Sequence, residues 1–469
     1  MQRTMQRTTR PSWIPTLAAT AESLAQRLAD AIAADVEAGR LAPGAQLPTQ
    51  RALARQLGVT PGTVNRGYAL AERAGWITAE VGRGSFVSPS RDPAVHDAGV
   101  ARGASGAIEL GLNYPAGDDA EAALAAALPR LARRSAGLLA LTPYAGSPAH
   151  RAAGARWLRT LGLAADEADV LICAGVQHGL AAALTALAGP GDVLLTESLT
   201  GPGVKAVATM MHLRLVGVAG DRNGLLPDAL AGACKATGAR VLYTMPTLHT
   251  PTTITMPDAR RRAIAEVLRA HEVIAIEDDA WGFLAGGRVT PLRNFAPDRV
   301  VYLTTFAKCL APGLRVGYAV PPPALQRAIT SSLGALTWVA PLLGELVAQW
   351  IDDGTAAAIA HQRERTARAR QTLAERLLGR ALARTAMATF HHWVTLAEPW
   401  RVDELVAQAA VQGVALAATD IFVPGRAPAP HAIRVCTGTE PDVHRVEQGL
   451  RIVARMLQSG PRGYSRSVA

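Results

Sequence analysis

The sequence predicts an α/β chain of two domains: a small helical one closed by a β-hairpin, and a larger one built on a mainly parallel sheet. Three observations lead there. Up to residue 90, apolar residues recur at helical spacing between punctuating glycines. Residues 91–107 (RDPAVHDAGVARGASGA) have no period and are rich in Gly, Ala, Pro and charge, the composition of a linker. From residue 108 onward, short apolar runs alternate with helical stretches, as they do where crossover helices cover both faces of a parallel sheet. The expected domains are therefore 15–90 and 108–460.

Composition sets the outer limits. A chain of 469 residues exceeds one ordinary core, and 49% hydrophobic against 18% charged residues excludes global disorder. The net charge of +10 suits a polyanionic partner, and it equally suits an Arg-rich solvated surface. Nearly all of the basic excess is arginine; the lysines are Lys205, Lys235 and Lys308. A lysine inside a motif therefore stands out, because arginine is not deprotonated in proteins and forms no Schiff base. Cys173, Cys234, Cys309 and Cys436 are scattered without metal-ligand spacing and fit reduced thiols of a cytoplasmic protein. The N-terminus has no apolar signal core. No run reads as a membrane span, since the Ala-rich stretch 120–128 contains Glu121 and meets Pro129.

In the small domain, Leu24, Leu28, Ile32 and Val36 form one apolar stripe, with Gly39 at the expected stop. Pro48-Thr49 opens a short helix that holds Leu53 and Leu57 and ends at Gly58. Thr60 as N-cap and Pro61 at the first helical position open a third helix, which runs to about Ala74. Trp76-Ile77-Thr78, a turn at Gly82–Gly84 and Ser85-Phe86-Val87 then make a hairpin. Helix, helix, turn, helix, hairpin is the order of a winged helix-turn-helix.

The stretch LPTQRALARQLGVTPGTVNRGYALAERAGWI, followed by GRGSFV, resembles the GntR-type DNA-binding domain over nearly its whole length. The resemblance implies a double-stranded DNA operator as partner, read by the third helix in the major groove. By position it makes Thr60, Thr63, Asn65 and Arg66 recognition candidates, and Arg51 and Arg83 phosphate or minor-groove candidates. Pro61 and Asn65 stand where some relatives carry Arg, so the sequence read is expected to differ.

In the large domain, Val170–Cys173, Val193–Leu195, Leu213–Val218, Val241–Tyr243, Val273–Ile276 and Val300–Leu303 read as buried strands, with Asp258–Ala270 a helix between two of them. Ligands of such sheets bind beyond the carboxyl ends of the strands. After the first run, Gly175-Val176-Gln177 opens a helix, which puts free N–H groups where a phosphate is favoured; most such turns bind nothing. After Ile276, Glu277-Asp278-Asp279 fits a metal site, a pyridinium partner or a solvated turn. After Leu303, Lys308 lies seven residues before Arg315. The Arg-rich stretch Arg363–Leu378 is expected to be an ordinary solvated helix face.

Together these segments resemble the fold type I (aspartate aminotransferase) superfamily over roughly residues 108–456, most specifically in TFAKCLAPGLRVGY, with GDVLLTESLTGPGVKAVA, YTMPTLHTPTTITMP and IEDDAWGFL in the superfamily's order and spacing. A GntR-type domain ahead of this fold is similar to the MocR family of regulators. The resemblance implies pyridoxal 5'-phosphate as cofactor, with Lys308 as the Schiff-base lysine and Asp278 on the pyridine nitrogen. It places the phosphate on Arg315, Thr305 and the amides of Gly175, Val176 and Gln177, and an effector carboxylate on Arg434. It also implies a homodimer.

Four positions depart from the superfamily. Gly201 replaces the aromatic that stacks on the ring, and Thr250 replaces the Asn on the ring hydroxyl. Trp281 replaces the Tyr on that hydroxyl, and Ala307 replaces a phosphate-binding Ser. A lost stacking surface and a lost hydrogen bond cost on the order of 1 kcal/mol each. Trp281 offers a stacking surface, but its indole N–H accepts nothing. The partner-subunit tyrosine falls near Leu141 or Tyr144. The expected function is thus a DNA-binding regulator that holds the cofactor and senses an amine or amino acid. A working aminotransferase with a DNA-binding appendage, and a regulator whose pocket no longer takes the cofactor, are the alternatives.

Overall fold

A computed structural model describes residues 13–17, 23–41, 45–73, 76–80, 84–87, 106–116, 118–133, 137–425 and 428–460. The chain divides into two compact units, Met1–Ala104 and Ser105–Ala469. The expected linker lies outside the described residues up to residue 105.

The first unit holds α1 (Leu24–Glu37), α2 (Gln50–Leu57), α3 (Pro61–Arg73), β1 (Ile77–Glu80) and β2 (Gly84–Val87). Local chemistry sets the ends. Ser23 and Thr49 cap α1 and α2, their hydroxyls accepting from the Gln26 and Ala52 amides. Gly58 ends α2 in the left-handed region at φ 66°. Thr60 Oγ1 accepts from the Thr63 amide at 3.3 Å and opens α3. Leu28, Ile32, Leu53, Val64, Tyr68 and Ile77 form one small core, and the Tyr68 hydroxyl donates to the Pro48 carbonyl at 2.8 Å. Gly67 lets α3 lie against α1, since a Cβ there would come within 2.7 Å of Leu28 Cδ2. β1 and β2 pair antiparallel from Ile77–Val87 to Glu80–Gly84.

The second unit begins with β3 (Ile108–Glu109) and is organised by seven further strands: β4 (Leu171–Cys173), β5 (Val193–Glu197), β6 (Arg214–Val218), β9 (Val241–Thr244), β10 (Ile274–Asp278), β11 (Val300–Thr305) and β12 (Gly317–Val320). Between β6 and β9 lies a hairpin of β7 (Gly220–Asp221) and β8 (Gly224–Leu225). The sheet order is β4-β12-β11-β10-β9-β5-β6. Every pairing is parallel except those of β12, which runs antiparallel to both β4 and β11. The six expected strands are all in this sheet, but β6, at its edge, is not a buried strand: only Val218 is buried, because no neighbouring strand covers its far side. The seventh, β12, follows the Arg315 turn too closely to stand out as a separate apolar run. Buried β5, β9 and β11 explain the continuous apolar runs, because helices cover both faces.

A second layer holds β13 (His391–Thr395), β14 (Val414–Ala415), β15 (Ala417–Ala418) and β16 (Ala432–Cys436). β13, β16 and β15 form an antiparallel sheet, and β14 pairs with β3, which ties the start of the unit to its end.

Only one side of the stretch Arg363–Leu378 is a solvated face, with Arg365, Arg368 and Arg376 exposed. It belongs to the helix Thr355–Leu378, which buries Ala356, Ile359, Ala367 and Ala374 together with Arg363 and Arg370. The Arg370 guanidinium donates to the carbonyls of Glu440 (2.7 Å) and Pro441 (2.9 Å), and that of Arg363 donates to Leu310 O (3.2 Å). Buried arginine persists where its donors meet carbonyls, and helical periodicity does not reveal those partners.

Candidate functional site

The carboxyl ends of β10 and β11 meet over the middle of the sheet. β11 runs into a one-turn helix, Phe306–Cys309, whose N-cap is Thr305 and which carries Lys308. Lys308 Nζ donates to the Asn113 carbonyl and lies 3.3 Å from the Tyr114 ring centroid and 5.5 Å from that of Trp281. Burial, with Arg434 nearby, lowers its pKa from 10.5 to about 7. Asp278 pulls the other way but does not outweigh burial, so the lysine is held partly as the neutral amine, the nucleophilic form.

Asp278 ends β10. Its Oδ2 accepts from the Tyr243 hydroxyl at 2.6 Å and its Oδ1 from the Ala280 amide at 3.1 Å. Burial raises its pKa to about 6 against the pull of the Tyr243 hydrogen bond, and neighbouring Asp279 raises it further. Tyr243 is buried on β9 and was not among the expected site residues. Nothing local marked it, because an aromatic in an apolar run reads as core.

A third cluster forms where β4 turns into the helix Val176–Leu187. Gly175 is the N-cap at φ 83°, and a Cβ there would lie 3.2 Å from Thr305 Oγ1 and 3.5 Å from Arg315 Nη2. Arg315 has a left-handed backbone at φ 47° and donates to Ala174 O at 3.0 Å. Thr305 Oγ1 accepts from the Ala307 amide at 3.1 Å. A helix N-terminus, a hydroxyl and a guanidinium thus converge on a glycine whose missing side chain leaves the space open. Val176 is buried, and the exposed Gln177 side chain fills the space beside Gly203, where a Cβ would clash at 2.0 Å.

Arg434, on β16, donates to the Gly111 carbonyl at 2.7 Å and stacks on Phe422 at 4.7 Å. Its Nε is buried without a hydrogen-bond partner among the described residues. Trp281 is buried among Phe283, Phe390 and His391, the last at 5.5 Å between ring centroids. Gly201 lies near Tyr243, whose hydroxyl would be 4.0 Å from a Cβ added there, so an aromatic at 201 would project toward Asp278's partner. Thr250 and Ala307 are buried, whereas Leu141 and Tyr144 are exposed.

In the first unit, Asn65 and Arg66 are exposed on α3 and Arg51 on α2, with Thr60 exposed at the start of α3 and Thr63 half-buried one turn in. Gln50 Nε2 donates to Asn65 Oδ1 at 3.1 Å and links the two helices at that face. Arg83 lies outside the described residues.

Comparison with known proteins identifies both units. Residues 105–450 match the aminotransferase class I and II family, and residues 24–87 match the gntR family of bacterial regulatory proteins. The chain belongs to the class I and II aminotransferase family and carries a GntR-type domain ahead of it, the MocR-type architecture. It is 29% identical to the HTH-type transcriptional regulator YdeF of Bacillus subtilis, across 90% of this chain and 92% of that one. It is 28% identical to the pyridoxine biosynthesis transcriptional regulator PdxR of Corynebacterium glutamicum, across 64% and 66%. Among solved structures, an archaeal alanine:glyoxylate aminotransferase superposes with a TM-score of 0.72 at 21% identity, covering 83% of this chain and 98% of that one. The cofactor of this family is pyridoxal phosphate. The cradle at Gly175, the buried acid at Asp278 and the low-pKa amine of Lys308 fit its phosphate, ring nitrogen and aldehyde in turn.

Proposed function

We propose that the protein is a cytoplasmic, homodimeric transcription regulator whose large unit holds pyridoxal phosphate at Lys308 and senses an amine or amino acid. One observation carries this reading: a GntR-type unit shares its chain with a pocket in which a near-neutral lysine, a buried acid and a phosphate cradle meet.

When bound, the cofactor supplies an electrophilic aldehyde on an electron-withdrawing ring. Lys308 presents an amine that loses its proton near neutrality. Asp278, oriented by Tyr243 and the Ala280 amide, holds a proton at the ring nitrogen. Gly175, Val176, Gln177, Thr305 and Arg315 bind the phosphate, and Thr250 and Trp281 border the ring. Arg434 offers the rest of its guanidinium to an effector carboxylate. In the small unit, Thr60, Thr63, Asn65 and Arg66 read bases, while Arg51 and Arg83 contact the backbone.

Turnover is disfavoured. Trp281 is packed against His391 and Phe390 and offers no acceptor or hydroxyl to the ring. The test is a visible absorption titration of the purified protein with pyridoxal phosphate beside Lys308→Ala. A saturable band in the wild type alone supports the reading. No band in either supports a pocket that has lost its cofactor. A band accompanied by sustained amino-group exchange between an amino acid and a keto acid supports an enzyme.

A further inference from the structure

The ring that lies closest over Lys308 comes from the start of the large unit. Tyr114 follows β3 in a short stretch that is pinned along its length. Glu109 Oε1 accepts from the Gly111 amide at 2.7 Å and from the Leu112 amide at 2.9 Å. The Tyr114 amide donates to Thr439 Oγ1 at 3.3 Å, and the Ala116 amide donates to the Gly438 carbonyl at 2.9 Å. The Thr439 hydroxyl lies 2.6 Å from the Leu112 carbonyl and 2.7 Å from that of Tyr114. Pro115 disfavours a helical backbone at Tyr114. So held, the stretch carries the Tyr114 ring to 3.3 Å from Lys308 Nζ, against 5.5 Å for the Trp281 ring. Nζ also donates to the carbonyl of Asn113, the residue before Tyr114. Tyr114 stays 40% exposed, so it is not simply a core residue that happens to lie there.

A ring face attracts an ammonium through its quadrupole and offers a neutral amine little. The charged groups facing Lys308 are Arg434 and Cys436 on β16, Asp278 on β10, and Arg315. The two guanidiniums disfavour the ammonium, while the Asp278 carboxylate and a Cys436 thiolate favour it. Asp278 is itself held by the Tyr243 hydroxyl and the Ala280 amide. The contacts made on Nζ itself are those of two adjacent residues, Asn113 and Tyr114, and both suit a cation.

We propose that Tyr114 is a positioning residue for Lys308: its ring face holds the side chain at the Asn113 carbonyl as an ammonium and so restrains its release as a free amine. To react, Lys308 must give up its proton and with it the attraction of the ring. Tyr114 therefore acts on the reactivity of Lys308 without touching the atom that Lys308 attacks. The contact stands by itself; its consequence for cofactor capture rests on the reading of Lys308 as the cofactor lysine.

The test is nuclear magnetic resonance of full-length, cofactor-free protein labelled with ¹³C-lysine. The chain has three lysines, and loss of one signal in Lys308→Ala assigns the residue. In the wild type and in Tyr114→Phe, the ε-methylene protons of Lys308 are expected upfield, shifted by the ring current. In Tyr114→Leu, which keeps an apolar cover but has no ring face, that shift is expected to vanish. The titration midpoint of Lys308 should then fall by about half a unit or more, with Tyr114→Phe close to wild type. Arg434, Cys436, Asp278, Arg315 and Trp281 are common to all three proteins, so the difference belongs to residue 114. Thr439→Val, which loosens the backbone of Tyr114 and leaves the ring in place, is expected to move the midpoint the same way by less. The pH midpoint for the rate of band formation with pyridoxal phosphate should follow the lysine midpoint downward in Tyr114→Leu. A Leu variant that titrates with or above the wild type, a Phe variant that moves with Leu, or a Lys308 signal without the upfield shift overturns the proposal. Absence of any band in all forms would instead refute Lys308 as the cofactor lysine.

Discussion

Asp278 pairs a functional requirement with a folding cost, and the substitution Asp278→Asn separates them. The carboxyl has a pKa of about 6 in the fold against 3.8 in the unfolded chain. A raised acid pKa means that the folded state holds its proton more tightly. The contribution to stability is therefore complete below 3.8 and is lost as pH rises through about 6. Above that, the ionised group penalises the fold by ~1–3 kcal/mol, from 1.36 kcal/mol per unit with allowance for relaxation. Asparagine carries no charge, and its carbonyl still accepts from the Tyr243 hydroxyl. The cofactor-free Asn variant is thus expected to be the more stable protein at about pH 7.5, with most of the gain gone at about pH 4.5. Denaturant unfolding followed by tryptophan fluorescence at both pH values reads the difference, since Trp281 lies close by. Glu277 and Asp279 titrate in both proteins, so subtraction isolates residue 278. The same variant is expected to bind pyridoxal phosphate at least about tenfold more weakly, having lost the partner of the ring nitrogen. An Asn variant less stable than wild type at pH 7.5, or a difference that ignores pH, would refute the reasoning.

Other consequences are as direct. Gly175→Val places a branched side chain 3.2 Å from Thr305 Oγ1 at a positive φ, so cofactor affinity should fall by more than about tenfold. The thermal midpoint should drop by several degrees, and a midpoint equal to wild type would contradict the cradle. Because Lys308 has a pKa of about 7, the rate of band formation with pyridoxal phosphate should climb through neutrality and level off about one unit above. A rate still rising beyond pH 9 would show an ordinary solvated lysine. Arg66→Ala should weaken operator binding in fluorescence anisotropy by ~1–3 kcal/mol if it reads a base, with relaxed sequence preference. A uniform loss with a shallower salt dependence would assign it to phosphate instead.

Much of this was legible in the sequence where the physics is local. The helix start at Pro48-Thr49, the cap Thr60, the stop at Gly58 and the six strands follow from hydrogen bonding and periodicity between near neighbours. Lys308 stood out because lysine is so scarce here, and Asp278 because it ends a strand. What stayed hidden depends on distant segments meeting. Asn113 and Tyr114 hold Lys308 across 195 positions of chain, and no pattern around residue 113 announces it. Tyr243 was indistinguishable from core until Asp278 was seen beside it on the adjoining strand. Arg363 and Arg370 were expected in solvent because charge ordinarily lies there. Their partners are carbonyls at Leu310, Glu440 and Pro441, which only the tertiary fold supplies.

The two cations of the pocket share a keeper. Lys308 donates to the carbonyl of Asn113 and Arg434 to that of Gly111, so one short stretch at the head of the large unit satisfies both. A ligand that draws either side chain toward itself competes with these carbonyls for its donors. Occupancy of the pocket and order in the stretch 111–113 are then linked quantities. Whatever free energy of binding goes into weakening those two bonds is the free energy by which the stretch becomes easier to open. Hydrogen exchange at the amides around Gly111 would report ligand binding from a strand of chain that need not touch the ligand at all.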